Sequence, residues 1–126
     1  MERIIVDGVG RLPAFSHASV VGNLVFVSGQ VPLDPETGEM IQGDIGALTR
    51  RSMDSVIAIL KAAGMDAANI VKTNIYLADM GDFAAMNEVY GSYFDSVDEP
   101  PARAAVQPAR LPKDARIEIE VIAADS

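Results

Sequence analysis

The segment ARIEIEV, residues 115–121, alternates without a break, with Ile117, Ile119 and Val121 on one parity and Arg116, Glu118 and Glu120 on the other. Successive side chains of a strand point to opposite faces, so this run alone demands a sheet with one apolar side and one polar side. The apolar side needs a cover, and the rest of the chain has to supply it. Arg3 to Val6 reads as a short first strand, and Ser19 to Ser28, broken at Gly22-Asn23, reads as a β-hairpin. Gly29 follows at once, and VPLDPETGEMI then supplies a turn in which Asp34-Pro35 begins the reversal and Gly38 takes a positive φ.

The cover comes from two helical patterns. After Asp44, an N-cap residue, Ile45, Leu48, Val56, Ile59, Leu60 and Ala63 recur at helical spacing, and Gly64 ends the run. IVKTNIYLAD is a strand ending near Asp79, and Asp82 is expected to cap a second helix whose Phe83, Met86, Tyr90 and Phe94 form one stripe. Pro100 and Pro101 stop what precedes them, and the last two strands run from about Arg103 to Gln107 and Ala115 to Ala123. The expected architecture is α+β, with two helices packed on one face of a mixed sheet. Its other face is left to water or to another copy of the chain.

With 126 residues, 49% of them apolar and 22% charged, and with no linker composition, the chain is expected to form one domain spanning residues 1–126. Its 18 acidic against 10 basic residues give a formal charge of −8, which repels polyanions and argues against a nucleic-acid partner. No apolar run is long enough to span a bilayer, so the expectation is a cytoplasmic protein with no membrane partner. Cysteine is absent and His17 is the only histidine, so thiolate chemistry is excluded and a metal would have to rest on carboxylates. No calcium-loop spacing, HExxH pattern or glycine-rich phosphate loop occurs.

The order SGQ, DPETG, VKTNIYLAD, DFAAMNEVY, PAR and LPKDARIEIEVIA resembles the RidA (YjgF-like) family of imine and enamine deaminases over nearly the whole chain. The resemblance implies a chorismate-mutase-like α+β fold in a homotrimer, the sheets forming a central barrel with three clefts between subunits. It implies hydrolysis of 2-imino acids, tautomers of enamines such as 2-aminoacrylate and 2-aminocrotonate, to 2-keto acids and ammonia, with no metal, nucleotide or flavin cofactor. Arg103 matches the PAR arginine that binds the substrate carboxylate in this family, and Glu120 matches the glutamate that positions the attacking water. A planar guanidinium suits a carboxylate because its paired donors meet both oxygens. Ser28 and Gly29 match backbone positions lining the cleft, and Asn87 matches an asparagine of the second helix near it. Phe15 stands where many imino-acid deaminases carry tyrosine, and Ala105 stands where they often carry cysteine, so both fall to the substrate pocket. His17 lies close enough to supply a different polar contact.

Each residue also has a plainer reading. Arg103 fits an interface ion pair, Glu120 one member of a solvated strand face shared with Glu118, and Asn87 a buried amide satisfying backbone groups. His17 and Phe15 fit simple packing, and Ser28 has no histidine base tied to it. Rival functions are deamination of a larger, aminomuconate-like enamine, and a non-catalytic trimer that binds small carboxylates or a protein partner. Relatives have also been described as ribonucleases or translation inhibitors, a reading the acidic charge disfavours.

Overall fold

A computed structural model describes residues 1–125. Six strands form one mixed sheet: β1 (Glu2–Ile4), β2 (Ala18–Val21), β3 (Leu24–Gln30), β4 (Ile70–Leu77), β5 (Ala102–Val106) and β6 (Ile117–Ala124), in the order β1-β2-β3-β6-β4-β5. All neighbours are antiparallel except β4 and β5, which run parallel and are therefore joined by a crossover through a helix. That helix is α2 (Phe83–Ser92), and it packs beside α1 (Ile45–Ala62) on one face of the sheet. This is the expected α+β arrangement.

The alternation of β6 holds throughout, with Ile117, Ile119, Val121 and Ala123 buried under the helices. From β4 come Thr73, Ile75 and Leu77, and from α1 Leu48, Met53, Val56, Ile59 and Leu60, all in the same core. Asp44 caps α1 as expected, its Oδ1 accepting the Ala47 N–H at 2.9 Å. At the other end Ala63 is the C-cap and Gly64 follows it at φ 76°. The Gly64 and Met65 N–H groups then bond back to Lys61 and Leu60 carbonyls in the paired pattern that closes many helices.

Four local expectations are corrected. The first strand stops at Ile4, because the Val6 N–H turns away to the His17 ring instead of a strand partner. Strand β3 does not end before Gly29: it continues to Gln30 through a bulge, with Val27 opposite Val121 and Gln30 opposite Ile119, so β3 carries one extra residue. The extra residue flips the parity, which is why Val27 and Gln30 are both buried. Asp82 does not cap α2, since its carboxylate is taken by Arg116 at 3.1 Å, while Asp79 caps the short turn just before it. Phe94 lies beyond the end of α2, yet it is buried against Tyr90 with ring centroids 4.9 Å apart.

The helix-free face of the sheet is mixed. Lys72, Asn74, Tyr76, Glu118 and Glu120 form its polar centre, and Phe26, Ala102, Ala104 and Val106 are exposed apolar or small residues around it. Ile119 sits at the middle of the opposite, covered face and is fully buried. Ile119→Ala is expected to cost about 2–5 kcal/mol by leaving a cavity that the flanking strand and helix cannot close. A matching fall in the urea midpoint with an unchanged slope would be the signature.

Candidate functional site

Thr73 and Asn74 are neighbours on β4, so their side chains leave opposite faces of the sheet. Thr73 is paired with Arg103 on β5 and is buried beneath α2, where its Oγ1 accepts the Tyr90 hydroxyl at 2.9 Å. Asn74 is paired with Glu120 on β6 and donates to its carboxylate on the helix-free face. Arg103 and Glu120 are thereby held on opposite sides of one sheet. The residues expected to share a site form two half-sites within the chain.

One half-site is the edge of β5 under α2. The Arg103 guanidinium carbon lies 5.4 Å from the Phe83 ring centroid and 5.1 Å from that of Tyr90. Its Nη1 donates to Asn87 Oδ1 at 2.6 Å. The aromatic stripe of α2 thus serves as a platform for the cation, and the asparagine one turn after Phe83 fixes its rotation. Burial raises the Tyr90 phenol above its ordinary value, so the platform stays neutral and its hydroxyl stays a donor. Among the described residues Arg103 has no carboxylate partner, which leaves most of its five N–H donors unused. Asn87 is exposed, not the buried amide of the plainer reading, because it serves the arginine instead of the backbone. Ala105, two residues on and on the same face as Arg103, is half-buried against the core.

The other half-site is a cleft of about 660 Å³ beside the β3 bulge, whose walls include Phe15, Ser28, Gly29, Glu118 and Glu120. Phe15 is 39% exposed, so it is a wall and not a core residue. Ser28 Oγ donates to the Ser16 carbonyl at 2.7 Å, which braces the loop carrying Phe15 but supplies no nucleophile. A Cβ on Gly29 would lie 2.6 Å from Glu118 Oε2, so the bare backbone there makes room for a carboxylate. Glu120 Oε1 accepts from the Tyr76 hydroxyl at 2.6 Å and from Asn74 Nδ2 at 3.2 Å. That bond, with burial and the Glu120 charge, pushes the Tyr76 phenol up to about 12. Arg11 and Lys113 bring positive charge to the rim.

His17 does not belong to the cleft. It is 1% exposed, its Nδ1 accepts the Val6 N–H at 2.9 Å, and its Nε2 therefore carries the hydrogen facing the Gly10 carbonyl at 3.1 Å. Both nitrogens are spent on pinning the N-terminal segment to the hairpin, which corrects its expected contact with substrate. Among the described residues no group of three or more His, Asp or Glu side chains is gathered for a metal ion, and no helix is long and apolar enough to cross a membrane.

The family model described as Endoribonuclease L-PSP matches residues 9–125. The chain belongs to this family, the YjgF/RidA family. A RutC family protein of Pyrococcus abyssi is 51% identical over 109 residues, covering 86% of this chain and 84% of that protein. The 2-iminobutanoate/2-iminopropanoate deaminase of Rattus norvegicus is 46% identical over 110 residues, covering 87% and 79% respectively. The crystal structure of E. coli TdcF with bound serine superposes with a TM-score of 0.91 at 40% identity, covering 99% of this chain and 100% of that one. The YjgF/RidA chain described here thus shares its fold with relatives of several kinds of name.

Sequence reasoning missed Tyr76 and Asn74. Both share the parity opposite Thr73, Ile75 and Leu77, so their face was readable, but the register that sets them beside Glu120 was not. Glu118 was left indistinguishable from Glu120, and the structure separates them. Burial first, and then the charge of Glu120, raises the Glu118 carboxyl above its ordinary value. A carboxyl raised on folding holds its proton more tightly in the native state than in the unfolded chain, so its ionisation costs stability as pH rises from the ordinary glutamate range through the folded value. Glu118→Gln is therefore expected to resist heat better than the native chain at pH 7, with the difference closing below the ordinary glutamate range. Melting curves at pH 3.5 and pH 7 measure it, and an unchanged gap would exclude the assignment.

Proposed function

We propose that this protein hydrolyses 2-imino acids to 2-keto acids and ammonia in clefts shared between subunits of a homotrimer. The observation that carries the reading is the division of the site. Arg103 is held by aromatic rings and Asn87 with donors to spare at a sheet edge, while Glu120 lies in a cleft on the other face. Neither half-site alone can both hold a carboxylate and activate a water. A second copy that presents its β5 edge to the first copy's cleft supplies what is missing, and a closed ring of such head-to-tail contacts covers the mixed open face as well. The rat relative's name as a deaminase and the serine bound to TdcF, an amino acid with the same carboxylate, support this chemistry.

In the proposed reaction Arg103 binds the carboxylate of a protonated imine. Glu120 takes a proton from water as the oxygen bonds to the imine carbon, and the C=N π electrons move to nitrogen. The resulting amine gains a proton, the C–N bond breaks with its electrons leaving on ammonia, and the hydroxyl loses its proton to give the ketone. The imine carbon is already electrophilic, so a positioned carboxylate is sufficient assistance. Phe15 brings no hydroxyl to this cleft, and Leu12, Val31 and Leu33 extend its apolar wall. The size and apolarity of the cleft favour, as a second reading within the same chemistry, a bulkier enamine than 2-aminoacrylate. The charge of −8 weighs against an RNA substrate.

A dehydratase that generates 2-aminoacrylate or 2-aminocrotonate, coupled to timed keto-acid release, tests the reading. Arg103→Ala is expected to lose on the order of 100-fold in kcat/KM while remaining folded, since charge-assisted bonds to the carboxylate disappear. Full activity in a folded Arg103→Ala protein would refute the anchor, and keto-acid binding without turnover by the native chain would make it a binding protein.

The shared site has its own signature. Arg103→Ala and Glu120→Gln chains, each inactive alone, are expected to regain about a quarter of native activity when unfolded and reassembled together, because some clefts then combine two native residues. No recovery in a light-scattering-verified trimer would overturn the shared cleft.

A further inference from the structure

We infer that Tyr76, assisted by Asn74, is a positioning residue that fixes the Glu120 carboxylate so that Oε2 alone faces the reacting water. The inference rests on the deaminase reading and adds a component that reading does not contain.

On the pairing of β4 with β6, Asn74 lies directly opposite Glu120, and Tyr76 lies opposite Glu118, one diagonal step away. A diagonal neighbour is within reach only of a long or aromatic side chain, and the tyrosine hydroxyl spans the gap to Oε1 at 2.6 Å. Asn74 Nδ2 reaches the same oxygen at 3.2 Å. Both bonds converge on Oε1, and among the described residues Oε2 accepts none. A glutamate on an open strand face ordinarily explores several rotamers; here two donors from a rigid strand select one. The phenol is pushed up to about 12, so it remains a donor at any pH at which an imine would be hydrolysed.

The neighbourhood leaves no competing explanation for the bond. The titratable and charged groups on the face around Glu120 are Lys72 and Tyr76 on β4, Glu118 on its own strand, and Arg11 and Lys113 on the loops of the cleft. None of the four others is hydrogen-bonded or ion-paired to Glu120 among the described residues. Tyr76 is also outside the hydrophobic core cluster, so its hydroxyl is not a by-product of packing.

A kinetic double-mutant cycle tests the inference, with assembly checked by light scattering. Tyr76→Phe is expected to lower kcat about tenfold with KM unchanged, because the carboxylate anchor Arg103 is untouched and only the placement of the base is lost. Asn74→Ala is expected to show the same pattern with a smaller loss. Glu120→Asp withdraws the carboxylate from the reach of Tyr76, so in that background Tyr76→Phe is expected to have no further effect. A native kcat for Tyr76→Phe, a rise in KM alone, or an equal loss in both backgrounds would each overturn the inference. Glu120→Gln separates the two levels: if it abolishes turnover while Tyr76→Phe is silent, only the positioning role falls, and if it retains native turnover, the base assignment falls and the positioning role with it.

Discussion

The pairing of β4 with a strand on each side sets Arg103 and Glu120 on opposite faces of the sheet. Through Thr73 it directs Arg103 beneath α2, and through Asn74 it directs Glu120 to the helix-free face. Two consecutive residues of a strand cannot do otherwise, since the pleat sends their side chains apart. A cation and an anion that would pair readily in solution are thus kept apart by the sheet, and neither is neutralised by the other. Both stay available to ligands, at the cost of dividing the work between two surfaces. The parallel crossover from β4 through α2 to β5 matters for the same reason, because it lays an aromatic helix over the edge strand that carries the arginine.

Small irregularities then adjust each half. The bulge in β3 reverses the parity between Val27 and Gln30 and brings the Cα of Gly29 up to Glu118. A regular strand would have put a side chain there and closed the cleft. His17 holds the segment leading to Phe15 by two backbone bonds from inside the core, so a loop that contributes a cleft wall is tied to the hairpin and not left free. The only histidine of the chain acts as a structural crosslink, a use to which a neutral imidazole is suited because one ring nitrogen accepts while the other donates.

Much of this was legible in the sequence because period-two and period-3.6 patterns report burial directly. The IEIEVIA strand, the α1 stripe and its Asp44 and Gly64 ends, and the motif order that pointed to the family all depend on neighbours within a few residues. What was not legible depends on registers between distant segments. Nothing in VKTNIYLAD says that Tyr76 will meet Glu120, and nothing around PAFSHAS says that His17 will turn inward. The bulge was invisible for a related reason: Ser28-Gly29 reads equally well as the end of a strand and as an interruption within one. Asp82 was assigned a cap by its position, but a charged pair with Arg116, far along the chain, competes successfully for its carboxylate.

The two carboxylates of β6 show how one strand can give the same side chain two characters. Glu118 is half-buried against bare backbone at Gly29, and its ionised form gains no hydrogen bond there among the described residues. Glu120, two residues on and on the same face, is met by two donors from β4. Desolvation without compensating hydrogen bonds raises the Glu118 carboxyl above its ordinary value, whereas the Glu120 carboxylate is met by two donors, so the contrast in surroundings follows from what the neighbouring strands present and not from the glutamates themselves. The cleft therefore holds two carboxyl groups of one strand in unlike settings, one desolvated beside bare backbone and one bonded by two donors. On that argument residue 76 matters to how Glu120 is held, although the VKTNIYLAD motif that contains it gives no sign of that contact.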